Sequence, residues 1–248
     1  MAEDKNIKLI LEYDGSRYHG WQRQAGLPTL QEMLENKIKT MTGETFSLIA
    51  SGRTDAGVHA LNQVANFKTF THLDPVTLRK GLNALLPADI FIKQAEYAPV
   101  DFNSRYSAKS KVYEYRVLNR SEPDIFLRSY TWHIANALNL EKMAACLSLL
   151  IGRHDFSSFK SSGSGILNPV REIIEAEIQG LEDGLLTFSF EADGFMRHMV
   201  RNIMGTVVEA GRAKIDVHEF KEIFETRDRR KAGIKAPSQG LFLKMVKY

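Results

Sequence analysis

Two successive series of strand and helix patterns constrain the fold of this chain more than any other feature. In the first half, Ile7–Tyr13 alternates as a half-buried strand does, and Thr29–Met41 carries an apolar stripe with a helical period. The second half repeats this rhythm loosely, with a strand at Val112–Leu118 and a helix at Phe195–Ala210. This mixture predicts an α+β fold in which two similar halves join into one sheet.

Capping residues mark several of the predicted helices. Thr29 and Glu32 have the spacing of a capping box, and Asp74 followed by Pro75 is typical of a helix start. The helix that follows Pro75 presents one apolar face, formed by Leu78, Leu82 and Leu85. The other predicted elements are strands at Phe46–Ala50, Val64–Phe67 and Ile90–Ala95, a helix from Asn139 to Ile151, strands at Ile173–Ile178 and Leu185–Phe190, a helix capped by Asp216 and Glu219, and a strand at Leu241–Val246.

Length and composition narrow the class of protein. A chain of 248 residues makes one or two domains with a substantial core. No apolar run approaches the roughly 20 residues of a membrane helix, and the first residues lack the apolar core of a secretory signal. We therefore expect a cytoplasmic protein. The single cysteine, Cys146, excludes an internal disulfide and a multi-cysteine metal site, and its apolar neighbours predict a buried thiol.

Positive charge is clustered although the net charge is only +3. One cluster contains Arg227, Arg229, Arg230, Lys231 and Lys235, and another contains Arg105, Lys109 and Lys111. Such clusters neutralise phosphates, but a solvated charged surface is the simpler explanation of either one alone. The Arg17–Gln24 loop mixes basic and aromatic side chains, which suits RNA, or it packs Trp21 into the core. Lys160–Pro169 has the composition of a flexible loop.

The segment Ser51–Ala60 contains the strongest candidate for chemistry. Its acid, Asp55, lies between Gly52 and Gly57, in a short connection between two predicted strands. A carboxylate on a loop that a rigid scaffold holds is a common active-site arrangement. An aspartate in a glycine-flanked loop is also a common turn residue that bonds its own backbone, so local features alone do not decide between the two.

Gly52–His59 resembles the signature of the TruA family of tRNA pseudouridine synthases. Seven further segments match the family in the same order: Glu12–Ser16, Gly20–Gln24, Leu82–Ile90, Phe102–Ala108, Lys111–Tyr115, His198–Gly205 and Ala236–Leu243. The resemblance therefore covers nearly the whole chain.

The resemblance implies two ferredoxin-like halves that share a central, mostly antiparallel sheet, with helices packed on it and a catalytic cleft between the halves. We place the halves at residues 1–106 and 107–248. The resemblance further implies that the chain converts uridines 38, 39 and 40 of the tRNA anticodon arm to pseudouridine as a homodimer. The reaction breaks the C1′–N1 bond and joins C1′ to C5, so it imports no group and requires neither a cofactor nor a metal.

Five side chains are candidates for this reaction. A carboxylate such as Asp55 can act as a nucleophile while it is ionised, and a nearby arginine opposes the rise in its pKa that burial causes. Arg53 is one such partner by sequence, and the resemblance implies Arg201 as another. The resemblance also implies Tyr113 as the ring that stacks on the uracil, and Leu241 is a candidate for the opposite wall.

Each of these residues has an alternative interpretation. Tyr113 is by its strand position a packing residue, Leu241 a core residue, and Arg201 an exposed member of a basic helix face with Arg197. For the chain as a whole, the alternatives are a non-catalytic RNA-binding protein on the same scaffold, a metal-dependent hydrolase using Asp55 and His59, and a glycosidase. The glycosidase needs a second carboxylate, and none is apparent in the sequence.

Overall fold

The computed structural model of the protein describes residues 5–161 and 168–248, so the centre of the predicted Lys160–Pro169 loop lies outside the described residues. The described residues form ten strands and five α-helices: β1 Lys5–Tyr13, α1 Leu30–Thr42, β2 Ile49–Ala50, β3 His59–Thr69, α2 Pro75–Leu85, β4 Ile90–Ala98, β5 Ser110–Asn119, β6 Trp132–Ile134, α3 Leu140–Ser148, β7 Gly152–Asp155, β8 Val170–Gly180, β9 Leu185–Ala192, α4 Met199–Gly211, α5 Val217–Glu225 and β10 Leu241–Lys247. The predicted α+β class is confirmed.

The first compact unit contains residues 5–109 together with Phe242–Tyr248. Its strands lie in the order β4-β1-β3-β10, and β2 also pairs with β3, at Asn66 and Ala65. The pairings of β1 with β3 and β4 are antiparallel, whereas β10 runs parallel to β3. The division that we predict from the sequence places β10 in the second half, but in the structure its residues after Leu241 belong to the first unit.

The second compact unit spans Ser110–Leu241. Its strands lie in the order β6-β5-β9-β8-β7, and all of these pairings are antiparallel except that of β6 with β5. Strands β6 and β7 were not predicted from the sequence, because strands of three and four residues show no clear alternation. The helices α3, α4 and α5 complete this unit.

The inward faces predicted for β1 and β5 are buried in the structure. The inward side chains of β1 are buried, and they are Ile7, Leu9, Leu11 and Tyr13. Tyr113, Tyr115 and Val117 of β5 are buried in the same way. Cys146 on α3 is fully buried, and this burial raises the pKa of its thiol to about 11. A thiol of this kind is protonated and unreactive at neutral pH.

The boundaries and faces of the elements differ from the prediction at five places. Thr29 precedes α1, but its side chain makes no capping bond, so the predicted capping box with Glu32 is wrong. Leu85 is 40% exposed although Leu78 and Leu82 are buried as predicted. The helix predicted from Phe195 begins at Met199, because His198 adopts a left-handed conformation with φ of 62°. The strand predicted at Phe46–Ala50 is shortened to β2, and α3 ends at Ser148 rather than Ile151.

No helix in the described part of the chain is both long and apolar enough to cross a membrane.

Gly205 provides a stability prediction for the second unit. It lies inside α4, where alanine is normally more favourable than glycine by up to about 1 kcal/mol. A Cβ at Gly205, however, would lie 1.6 Å from the carbonyl oxygen of Ile234. We expect Gly205→Ala to lower the free energy of unfolding in urea by about 2–3 kcal/mol, because the helix must move away from this backbone.

Gly81 of α2 is the matched control for this prediction. Its Cβ would contact only the flexible end of the Met41 side chain, so Gly81→Ala is expected to be neutral or slightly stabilising. Equal unfolding midpoints for the two variants would contradict the close packing of Gly205.

Candidate active site

Asp55 lies in the connection between β2 and β3, as the sequence predicted, and its neighbour Thr54 is fixed on two sides. The Thr54 hydroxyl and the Tyr13 hydroxyl form a hydrogen bond of 2.8 Å, and the backbone N–H of Trp21 donates to the Thr54 carbonyl at 3.0 Å. Asp55 itself is half-buried. The loop therefore holds the backbone before Asp55 rigidly while it leaves the carboxylate partly accessible.

A buried polar network lies beneath this loop. Gln63 donates from Nε2 to the carbonyl of Gly52 at 3.0 Å and to the Tyr13 hydroxyl at 3.4 Å, and its Oε1 accepts from the Ser51 hydroxyl at 2.7 Å. Burial raises the pKa of Tyr13 to about 12, so its phenol is neutral at physiological pH. This network fixes the start of the loop from the inside of the first unit. The role of Gln63 could not be predicted from the sequence, because no local pattern distinguishes a buried amide in a strand from an exposed one.

The Gly15–Trp21 segment packs directly against the Asp55 loop. Gly20 has φ of 86°, and a Cβ there would lie 2.6 Å from the carbonyl oxygen of Thr54. Only glycine adopts this positive φ and allows this close approach to a carbonyl oxygen without strain. The motif around Gly20 and the motif around Asp55 are therefore in direct contact in the folded chain.

The aromatic side chains of the Arg17–Gln24 loop serve packing. Trp21 and Tyr18 are buried, and the Tyr18 hydroxyl donates to Asp89 at 2.7 Å. Arg23 forms an ion pair with the buried carboxylate of Glu35 on α1. Of the two interpretations that the sequence left open for this loop, the structure favours packing of Trp21 into the core.

His59 is held by packing and by a hydrogen bond to the backbone. Its buried ring stacks on Phe242 with the centroids 4.7 Å apart, and Nδ1 accepts from the backbone N–H of Gly15 at 3.1 Å. Among the described residues, no group of three or more His, Cys, Asp or Glu side chains is arranged to hold a metal ion. The hydrolase interpretation with Asp55 and His59 therefore finds no set of ligands in that part of the chain.

The two tyrosines of β5 have different surroundings. Tyr115 is fully buried, and its hydroxyl donates to the carbonyl of Pro237 at 2.8 Å. Burial raises the pKa of Tyr115 far above its usual value. Tyr113 keeps 8% exposure, and its ring meets Phe195 edge to face at 5.0 Å. Tyr115 is thus a structural residue, whereas Tyr113 is buried but keeps a small accessible fraction.

Arg201 is buried rather than exposed. Only 8% of it is accessible, whereas Arg197 is exposed, so the interpretation of Arg201 as part of a basic helix face is wrong. Its Nε donates to the carbonyl of Ala236 at 2.8 Å, and the N–H of Ala236 donates to the carbonyl of Arg201 at 3.0 Å. This reciprocal pair of bonds ties α4 to the segment that leads into β10. That segment ends at Leu241, which is buried.

The structure places the five predicted site residues in two groups. Asp55 and Arg53 share one loop of the first unit, and Arg53 is exposed there. Tyr113, Arg201 and Leu241 belong to the second unit, where bonds from Tyr115 and Arg201 fix the 236–241 segment.

Two arginines of the basic cluster at residues 227–235 bind other groups of the second unit. Arg229 donates to Asn202 at 3.0 Å and to the carbonyls of Ala232 and Gly233. Arg230 pairs with Asp228 at 2.8 Å and helps to lower the pKa of that carboxyl to about 2. Arg229 and Arg230 therefore stabilise this loop.

Comparisons with known proteins give the same family over nearly the whole chain. A profile of the family described as tRNA pseudouridine synthase matches residues 9–107 and 146–248. A protein named tRNA pseudouridine synthase A from Thermoanaerobacter sp. (strain X514) is 46% identical over 98% of this chain and 100% of its own length. A protein of the same name from Acetivibrio thermocellus is 44% identical over the same shares. A crystal structure of a Cbf5-Nop10-Gar1 complex aligns at a TM-score of 0.38, with 15% identity over 82% of this chain and 44% of the other, which is too weak a likeness to support a conclusion.

Proposed function

This chain belongs to the tRNA pseudouridine synthase family, and from that premise we propose that it converts uridine to pseudouridine in the anticodon stem–loop of tRNA, at positions 38, 39 and 40. The observation that carries the proposal is the half-buried carboxylate of Asp55 on a loop whose backbone is fixed by Thr54. A scaffold that holds a single carboxylate in this way suits covalent catalysis.

The reaction is balanced without any added group. The C1′–N1 bond breaks, the base turns, and C1′ joins C5; the proton at C5 leaves and N1 gains one. We propose Asp55 as the essential carboxylate, and we prefer its attack on the sugar C1′ over abstraction of a sugar proton or addition to the uracil. This attack displaces N1 and forms an ester to C1′, and the ester bond breaks when C5 joins C1′. The target nucleotide must leave its stack, which costs a few kcal/mol, and less at a stem–loop junction than inside a helix.

The other candidates have supporting roles in this proposal. Tyr113 stacks on the uracil and brings its hydroxyl near C5, and Leu241 gives the pocket an apolar wall. Arg53 and Arg201 supply positive charge that keeps the carboxylate ionised against the effect of burial. The low exposure of Tyr113, Arg201 and Leu241 supports these roles, because a reaction of this kind excludes water.

The proposal also covers the oligomeric state and the cellular location of the protein. We propose that it works as a homodimer and that it acts in the cytoplasm, where tRNA is its partner. The non-catalytic RNA-binding alternative is less favoured, because a binding module does not need a carboxylate whose loop is fixed by both Tyr13 and Trp21.

The proposal is tested with the full chain and an unmodified tRNA transcript that has uridines at positions 38, 39 and 40. Incubation with a chelator present is expected to yield pseudouridine at these positions, mapped by chemical probing. Tight binding of the transcript without any product would overturn the proposal in favour of the RNA-binding alternative. Activity that the chelator abolishes would favour a metal-dependent reaction instead.

A further inference from the structure

The turn at residues 103–107 presents an exposed aromatic ring together with a cation. We call its tip, Arg105 and Tyr106, the Arg105–Tyr106 platform. Tyr106 is 78% exposed, and the guanidinium carbon of Arg105 lies 5.4 Å from the centre of its ring. A large exposed ring in contact with a guanidinium is a surface on which an unpaired base can stack.

The residue before the platform is fixed by three hydrogen bonds. Ser104 is fully buried, its N–H donates to Asn66 Oδ1 at 2.8 Å, and its hydroxyl donates to the carbonyl of Ile49 at 2.6 Å. The hydroxyl of Tyr248 donates to the Ser104 carbonyl at 2.8 Å. The base of the turn therefore cannot shift without breaking several buried bonds.

The two sides of the turn are held as well. Asn103 Oδ1 accepts from the N–H groups of Arg105 at 3.0 Å and Tyr106 at 3.2 Å. Asn66, which binds Ser104, is itself oriented by a bond of 2.9 Å to the buried side chain of Asn6. Buried amides are unfavourable unless they are bonded, so this network fixes the turn at a cost in desolvation. The hydrogen bonds therefore make the turn a rigid, preorganised surface, and such a surface loses less conformational entropy on binding.

We propose that the Arg105–Tyr106 platform is a binding surface for the substrate RNA outside the reacting nucleotide, where an unpaired base stacks on Tyr106 and Arg105 contacts a phosphate. This inference rests on the proposed function for the identity of the RNA. The exposed charges of the 101–109 segment favour a polyanion, because Arg105 and Lys109 outnumber Asp101. The interface with a second copy of the chain would instead need an apolar core, and the exposed residues next to Tyr106 in the chain, Arg105 and Ser107, are charged and polar.

The test compares Tyr106→Ala with Tyr97→Ala in the full chain. Tyr97 is a matched control, because it is 54% exposed and has Lys5 over its ring at 5.9 Å. The affinity for an unmodified tRNA transcript is measured by fluorescence anisotropy at several salt concentrations. We expect Tyr106→Ala to weaken binding about 5- to 100-fold, Tyr106→Phe to retain affinity, and Tyr97→Ala to change it less than about twofold.

Arg105→Gln separates the phosphate contact from stacking. It is expected to reduce the slope of log affinity against log salt by roughly 0.7–0.9, whereas Tyr106→Ala leaves the slope unchanged. The rate of pseudouridine formation at saturating tRNA should be unchanged in the control variant Tyr97→Ala, since Tyr97 lies outside the platform.

Three outcomes would overturn the proposal. They are equal affinities of Tyr106→Ala and wild type, equal losses in the Tyr106 and Tyr97 variants, and a loss of affinity that accompanies a change in oligomeric state by sedimentation. The last would assign the surface to contacts between copies. A wild-type protein that binds tRNA at the platform but forms no pseudouridine would refute the proposed function and leave this surface supported.

Discussion

Asp55→Asn is expected to reduce pseudouridine formation by at least about 10⁴-fold while it leaves tRNA binding within about threefold of wild type. The amide has almost the same shape as the carboxylate, so the loop and its bonds through Thr54 should persist. It is a far poorer nucleophile, however, and it carries no charge. The measurement is a single-turnover assay at saturating tRNA, paired with an anisotropy titration of the same transcript.

Asp74→Asn is the control for loss of one negative charge. Asp74 is the exposed N-cap of α2, where it accepts bonds from the N–H groups of Val76 and Thr77, and asparagine caps helices about as well. This variant should keep wild-type activity. If Asp55→Asn retained more than a tenth of the wild-type rate, Asp55 would not be the essential carboxylate.

The parts of the fold that depend on local pattern could be predicted from the sequence. The inward faces of β1 and β5, the Asp74 cap of α2 and the capping box of Asp216 and Glu219 all follow from spacing within a few residues. The family resemblance drawn from the motifs is confirmed by the profile match and by relatives at 40–46% identity.

What could not be predicted depends on partners that are distant in sequence. The bonds from Gln63 to Tyr13 and from Asn66 to Asn6 join residues 50 and 60 positions apart, and buried amides look like surface residues in a sequence. The predicted capping bond of the Thr29 side chain is absent for a similar reason. Its N-cap position was clear, but tertiary packing buries its hydroxyl, for which the structure gives no hydrogen-bond partner in the described part of the chain.

The site shows the same division. The presentation of Asp55 between two strands was predicted, because glycines and strand patterns are local signals. The burial of Arg201 was not, since an arginine beside Arg197 on a helix resembles a solvated face until the partner carbonyl of Ala236 is known. The contact of Gly20 with the Thr54 carbonyl was likewise invisible, although both residues lie in recognised motifs.

Arg201 gives the second large expected effect, because it combines a charge with a structural bond. Arg201→Met removes both, and it leaves the buried carbonyl of Ala236 without its Nε donor at 2.8 Å. We expect a loss of about 1–3 kcal/mol in the free energy of unfolding, measured in urea. We also expect the single-turnover rate at saturating tRNA to fall on the order of 10²–10³-fold, as when a charge-stabilising donor is removed from an active site.

Arg201→Lys separates the two contributions, and Arg197→Met is the control. Lysine keeps the charge but lacks the planar fork that carries the Nε–H, so it should lose as much stability as methionine while it retains more of the rate. Arg197 is exposed, and its replacement should leave both the rate and the stability close to wild type. Equal rates for the lysine and methionine variants would mean that Arg201 acts only by fixing the 236–241 segment. A higher rate for lysine at equal stability would require its charge to act on the reaction itself.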